Sequence, residues 1–327
     1  MKILVTGATG FIGANLSFKL AESGHDIHAF CRSHPDEKLS SHKNIKIFRG
    51  DITNKESIFN AMRNCVQVYH LAAYTRVLAD SPASYYKVNV GGTINVLECA
   101  IQLGVKKLVY TSAGGVLGPS QLVPLNEDSF RLCPFFNNHE TSKHMAEEKV
   151  KDYVIKGLKA VIVNPGRVFG PGILSKTNSL SNIMLKCLKG KWHIMPGDGT
   201  VVMNYAYIED VVNGHIKAME HGKPGERYIL GGANASYIEL FHNIWDCLGK
   251  KDRLLKLPFS IIRIYAAIEV LHSKFYNREP DITPTWVNSF SNNMPRTSEK
   301  AINELSYSIT PFNEAIQKTL DWLKNKK

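Results

Sequence analysis

A chain of 327 residues, 44% hydrophobic and 21% charged, suffices for one large domain or a domain with a smaller appendage, and its composition is that of an ordinary soluble globular protein. Forty basic against 29 acidic residues leave a formal net charge of +11, but the lysines are scattered, with no long basic run and no arginine stripe interleaved with aromatics. That pattern argues for a generally basic surface and against a nucleic-acid binder.

The chain opens directly into "KILVTG", which leaves no room for a signal peptide. Short β-branched runs then alternate with longer helical patterns. Strands are expected at 2–6, 26–31, 45–50, 66–72, 106–112 and 159–165. Between them "ANLSFKLAES" and "VGGTINVLECAIQLG" carry apolar residues at helical spacing, and Gly104 fits a helix C-terminal glycine. Such alternation predicts an α/β fold: a doubly wound parallel sheet of the Rossmann type, covered on both faces. After about residue 172 the pattern loosens into helical stretches separated by Pro/Gly turns. The chain thus divides into a nucleotide-binding domain at 1–172 and a smaller, mostly helical substrate lobe at 173–327, with returns to the main domain. "FSIIRIYAAIEVL" at 259–271 contains Arg263 and Glu269 and is too short and too charged for a membrane span, so a buried or interfacial helix is expected there. At the end, "TPFNEAIQKTLDWLKNKK" places Thr310 as N-cap and Pro311 at the first helical position. The 6 cysteines are widely spaced with no C-x-x-C pair, pointing to reduced thiols in a cytoplasmic protein. The histidines show no H-x-x-x-H spacing, and no metal site is expected.

The first loop reads "VTGATGFIGANL", with Gly7, Gly10 and Gly13 between a strand and a helix. A tight turn there would bring backbone N–H groups and the positive end of the helix dipole to a pyrophosphate. This spacing resembles the extended short-chain dehydrogenase/reductase family, within the NAD-dependent epimerase/dehydratase superfamily, and its dihydroflavonol-reductase-like branch. Further motifs carry the resemblance along nearly the whole chain: "GDITN", "HLAA", "VNVGGTINVLE", "NPGRVFGPG" and "NELSYSITPFNEAIQKTLDW". It implies a cofactor cradle built from Gly7, Thr9, Gly10, Phe11, Ile12 and Gly13, with Asp51 and Ile52 at the adenine. Leu71, Ala72 and Ala73 would lie beside the cofactor, Asn89 and Thr111 would also contact it, Lys143 would hold the nicotinamide ribose, and Pro165, Gly166 and Val168 would lie near the nicotinamide. The second strand ends in "HAFCRSH", where NAD-preferring members carry an acid. Arg32 there could take a 2′-phosphate, with Lys38 assisting, so NADP(H) is favoured over NAD(H).

The family's redox centre implies a tyrosine, a lysine four residues later and a Ser or Thr at the fifth strand's end. Here only Lys143 is plainly present: His139 stands at the tyrosine position and Ala113 at the hydroxyl position, with Ser112 just before it. His139 beside a charged Lys143 should have a lowered pKa and serve as a neutral base. It could equally be a relic or a structural residue, and one of Tyr74, Tyr85, Tyr86 or Tyr110 could be recruited instead. Glu209 and Asp210 in "NYAYIEDVVNGHI" are read as braces, and "GPSQLVPLNEDS" resembles a substrate-side loop. Three activities stay open: an NADP-dependent reductase of a carbonyl on a small, partly apolar metabolite; a non-redox isomerase, lyase or cyclase using His139; and a nucleotide sensor without turnover. Relatives often form homodimers through helices equivalent to 82–103 and 138–155.

Overall fold

The computed structural model describes the whole chain apart from residues 34, 36, 79, 80, 121, 122, 251–253, 277 and 327, and the side chains of 38 and 176. Lys38, expected to assist Arg32, therefore has its side chain outside the described residues.

Six strands occupy the runs picked out by β-branched periodicity: β1 (Lys2–Thr6), β2 (Asp26–Cys31), β3 (Ile45–Arg49), β4 (Gln67–His70), β5 (Lys107–Thr111) and β6 (Ala160–Pro165). The later strands are β7 (Arg167–Phe169), β8 (Ile194–Pro196), β9 (Val202–Tyr207), β10 (Arg227–Leu230), β11 (Ala233–Ser236) and β12 (Leu255–Leu257). The main sheet runs β10-β6-β5-β4-β1-β2-β3 and every pair in it is parallel. Strand alternation divides the core in two. Ile3 and Val5 of β1, Val109 of β5 and Val161 and Val163 of β6 enter one apolar layer. Leu4, Leu108, Tyr110, Ala160 and Ile162 enter the other. The chain thereby buries both faces of the sheet, and its ligand-binding edge is the row of strand C-terminal ends.

β1 lies between β2 and β4, so the winding direction reverses beside it and opens a crevice at its C-terminal end. The second half of the chain returns to this sheet through β10, a four-residue strand that the sequence reading did not pick out. Its segment "RYIL" is too short to show a period. The smaller lobe also carries a three-stranded sheet, β11-β9-β7, and the β12-β8 pair beside its helices.

Two expected helix signals are placed by the structure. Gly104 follows the helix Gly92–Gln102 with φ +65°, the left-handed conformation that closes a helix. At the C-terminus the helix is Phe312–Asn325 and Pro311 is its N-cap. Thr310 is not the cap: its N–H and hydroxyl donate to Asp210 at 2.8 and 2.7 Å. A buried carboxylate from another helix outcompetes the local capping role, and Asp210 does brace the lobe.

Candidate functional site

The glycine loop leaves β1 with Gly7 at φ +72°, and a Cβ on Gly7 would stand 2.8 Å from the Ala72 nitrogen. A Cβ on Gly13 would stand 2.2 Å from the Gly7 carbonyl oxygen, so the helix Phe11–Glu22 can pack this closely on the turn only without side chains there. Gly10 is the helix N-cap and offers no side-chain acceptor, leaving the first-turn N–H groups for an outside anion. Thr9 and Ile12 are half-buried beside the turn, whereas the Phe11 ring is buried in the core, so only its backbone can face a ligand. The cradle fits a dinucleotide pyrophosphate. Leu71, Ala72 and Ala73, all half-buried, continue β4 across this turn. Ala72 N–H donates to the Thr6 hydroxyl at 3.2 Å, and that hydroxyl meets His70 Nδ1 at 2.7 Å. His70 Nε2 lies 3.0 Å from the Thr93 hydroxyl, which itself donates to the Asn89 carbonyl at 2.6 Å. With that donor committed, Nε2 carries the imidazole proton and Nδ1 accepts from Thr6. His70 is thus a neutral strut under the cradle, a role that no sequence motif marks.

Towards the adenine end, Asp51 accepts from Thr53 N–H and hydroxyl, both at 2.8 Å, and lies 3.7 Å from the Arg32 guanidinium. Burial opposes its ionisation, but the Thr53 bonds and Arg32 hold the carboxyl below its ordinary value. Ile52 is buried against Gly92, and its carbonyl accepts from Asn95 at 2.9 Å. A cavity of about 280 Å³ lined by Arg32, Ala73, Tyr74, Thr75, Arg76 and Ser84 continues this edge.

Two of the candidate reaction-centre residues, His139 and Lys143, lie on the helix Asn138–Ile155. It starts where the Asn137 side chain accepts from Glu140 N–H at 2.9 Å, and Glu140 is itself held by Arg131 at 3.0 Å. His139 and Lys143 are one turn apart on the same face. Lys143 is buried, with Nζ donating to the Thr111 carbonyl at 2.6 Å and lying 4.2 Å above the Tyr110 ring. Burial pulls its pKa down to about 7, against the opposing charge of Glu147. His139 Nδ1 sits 3.3 Å from the Tyr74 carbonyl, and its ring lies nearly parallel to Trp286 at 6.3 Å. Burial, and then Lys143, lower its pKa to about 4.

Ser112 is buried and its hydroxyl has no partner among the described residues. Thr111 contributes its carbonyl to Lys143, while its hydroxyl lies 2.9 Å from His215 Nε2. The Asn89 side chain is fully engaged: Oδ1 accepts from Tyr74 N–H at 2.6 Å, and Nδ2 donates to Ser142 at 2.9 Å and to Tyr74 at 3.3 Å. It braces the loop that positions His139. Pro165 is buried at the end of β6; Gly166 admits no Cβ, which would stand 2.2 Å from Asn204 Oδ1, and Val168 is half-buried on β7.

Among the tyrosines, Tyr85 and Tyr86 donate to the Arg76 carbonyl and to Asn138, and Tyr74 and Tyr85 meet edge to face. Tyr110 is buried beneath Lys143. The 118–129 loop, of which residues 121 and 122 lie outside the described residues, is pinned to the C-terminal segment. Ser120 donates to Asn293 and Leu125 to Pro295, and Arg296 donates to the Gly114 and Gly118 carbonyls. Trp286, Glu147, Asn164, Arg227 and Arg296 shape the site without having been singled out in the sequence, because each acts through a contact distant along the chain.

Two fully buried histidines set a pH limit on the fold. His70 and His215 have pKa values lowered to about 3 and about 4, in both cases chiefly by burial. An unfolded histidine titrates near 6.5, so the unfolded chain takes up protons that the folded chain refuses. Stability present above pH ~6.5 should therefore fall as pH drops towards 4, by up to about 1.4 kcal/mol per pH unit for each histidine. Thermal melts between pH 7 and 4.5 should show Tm dropping steeply, and a flat Tm would contradict this.

A model of the NAD dependent epimerase/dehydratase family matches residues 3–231. A putative dihydroflavonol 4-reductase of Synechocystis is 27% identical, over 98% of this chain and 94% of its own length. The crystal structure of gox2253 superposes with TM-score 0.82 at 29% identity, covering 99% of this chain and 98% of that one. The UDP-glucuronic acid 4-epimerase of Bacillus cereus, solved with NAD, gives TM-score 0.79 at 22% identity over 100% and 99% of the two chains, a likeness of fold. The preference for NADP is corrected here. The solved epimerases and dehydratases of this fold whose nucleotide is named hold NAD. Arg32, on which that preference rested, has its guanidinium turned to Asp51. With the glycine cradle, the strand order and the matched length together, the chain belongs to the NAD dependent epimerase/dehydratase family and is an enzyme of that NAD(P)-binding oxidoreductase and epimerase superfamily, acting on small metabolites.

Proposed function

We propose that this protein is an NAD(H)-dependent oxidoreductase of the dihydroflavonol-reductase-like branch, interconverting a secondary alcohol and a carbonyl on a small, partly apolar metabolite. The observation that carries the reading is the fixed tautomer of His139. A carbonyl can only accept, so Nδ1 donates to Tyr74, and Nε2 is left as a lone pair one helical turn from Lys143. With its pKa near 4 the imidazole is neutral at pH 7. It therefore accepts the proton of a substrate hydroxyl, and the Tyr74 carbonyl stabilises the imidazolium that forms. Carbonyl reduction, the direction expected from the sequence, draws on the imidazolium, and alcohol oxidation draws on the free base, so the one residue serves both directions.

The backbone N–H groups of the glycine cradle would hold the pyrophosphate, Asp51 and Ile52 the adenosine end, and Lys143 the nicotinamide ribose. The nicotinamide supplies the hydride acceptor when bound. Ser112, with its unpartnered hydroxyl, offers a spare hydrogen bond near the end of β5 where the resemblance implies a substrate-oxygen contact. In this reading the 1–172 body holds the nucleotide, the 173–327 lobe closes over the substrate, and two copies pair through 82–103 and 138–155.

The test is a fluorescence titration with NADH and NADPH, followed by a panel of secondary alcohols with NAD⁺, recording NADH absorbance. Tighter NADH binding and alcohol-dependent NADH formation are expected. Binding without any redox change, together with conversion of substrate to an isomer, would replace this reading with a non-redox one, to which Ala113 in place of a hydroxyl gives some support.

A further inference from the structure

The apolar run at 259–271 forms part of a single helix, Phe259–Phe275. One side of it, with Ile262 and Ala266, packs towards Val287 of the neighbouring helix Pro284–Phe290. A second apolar side faces outward. Ile261, Ile264, Tyr265, Ile268, Leu271 and Phe275 recur at three- and four-residue spacing and are each at least 48% exposed, Phe275 reaching 83%. A continuous stripe of six large apolar side chains along about four turns is far from the scattered exposure of an ordinary surface.

Along the helix itself cations predominate. From residue 254 to 278 the cations are Lys256, Arg263, Lys274 and Arg278, and the single carboxylate is Glu269. Glu269 is buried and closed onto Arg278 at 2.8 Å. Arg263 and Lys274 lie along one edge of the stripe, so the helix has a solvent-facing apolar face bordered by cations and without an uncompensated anion. Among the described residues no helix is long and apolar enough to cross a bilayer.

We propose that this face docks the protein on an anionic lipid surface, with the helix lying in the plane of the headgroups. A second copy is the poorer occupant. Antiparallel pairing of the stripe about a two-fold axis brings Arg263 of one copy towards Lys274 of the other, with no carboxylate to offset them. Lipid phosphates supply the missing charge, and acyl chains cover the apolar side chains. The docked helix packs on Pro284–Phe290, whose Trp286 lies against His139. Resting on the function proposed above, this geometry makes the substrate a lipid-soluble alcohol taken from the bilayer.

Sedimentation with vesicles tests the docking directly. The full chain should co-sediment with phosphatidylcholine vesicles containing phosphatidylglycerol, and its bound fraction should fall about tenfold or more on pure phosphatidylcholine. The I264E/I268E/L271E variant should lose binding to a similar extent, with thermal midpoint and NADH affinity unchanged because these side chains already face solvent. Wild-type protein remaining in the supernatant with both vesicle types overturns the proposal. So does a wild-type oligomer, seen by light scattering, that the triple variant dissolves, since the stripe is then a contact between copies. Vesicle binding that persists in a protein unable to bind NADH upholds the docking face and removes only the functional reading.

Discussion

Replacing His139 by alanine should lower the rate of alcohol oxidation by about 10²- to 10⁴-fold, the range expected for loss of a positioned general base, while NADH affinity stays within a few-fold of wild type. The imidazole is the proton acceptor in the proposed reaction, and it does not belong to the glycine cradle. Its described partners are the Tyr74 carbonyl and the Trp286 ring, so its loss should lower the melting temperature only slightly. His139→Tyr separates chemistry from packing. A phenol there restores an ionisable oxygen one turn from Lys143, and activity should return in part. The sign of its pH dependence should differ from wild type. The wild-type imidazole, with a pKa near 4, is already unprotonated at pH 6, so His139 itself imposes no limb between pH 6 and 9. A tyrosine titrates near 10, so the variant's rate should climb towards the upper end of that interval. An alanine variant within about threefold of wild type would remove His139 from the chemistry. A tyrosine variant with the wild-type pH profile would mean that another group moves the proton.

Much of this architecture is legible in the chain, for physical reasons. β1, β2 and β6 each bury both faces, so their sequences are predominantly apolar and their ends can be placed within a residue. Gly7 and Gly13 are visible because close backbone approach tolerates nothing larger, and the same requirement fixes their spacing. What the chain does not display is pairing across distance. Arg32 looks like a phosphate reader in its local segment, yet its guanidinium is turned to Asp51, nineteen residues on. Thr310 looks like a cap, but Asp210 takes its donors. β10 is invisible because a four-residue strand borrows its stability from β6 and shows no period of its own. The lowered pKa of His139 was foreseeable from the adjacent lysine, but its larger cause, burial, depends on how the lobe covers the helix.

Glu147→Ala should be the most destabilising single change near the site, costing about 3–5 kcal/mol and lowering Tm by roughly 4–7 °C. Glu147 is fully buried on the same helix as Lys143, one turn further on. One carboxylate oxygen accepts from Asn164 of β6 at 2.8 Å, and the other bridges to Arg227 of β10. Alanine removes that anion and leaves the largely covered Arg227 cation without its partner, the costly half of breaking a buried pair. The same carboxylate raises the Lys143 pKa against burial, so its removal also weakens the ammonium. Glu147→Gln makes the two roles separable. The amide keeps an oxygen for Arg227 or Asn164 and fills the same space, so much of the stability should return, but the charge does not. Lys143 should then titrate below its present value near 7, and activity that depends on the ammonium should be lost at lower pH than in wild type. A double variant, Glu147→Leu with Arg227→Met, should melt well above Glu147→Ala, because apolar replacement of both partners leaves no buried charge unpaired. If the alanine variant melts within about 1 °C of wild type, water reaches Arg227 and the pair contributes little. If the glutamine variant and the wild type share one pH profile, Glu147 holds the sheet to the helix but does not tune Lys143.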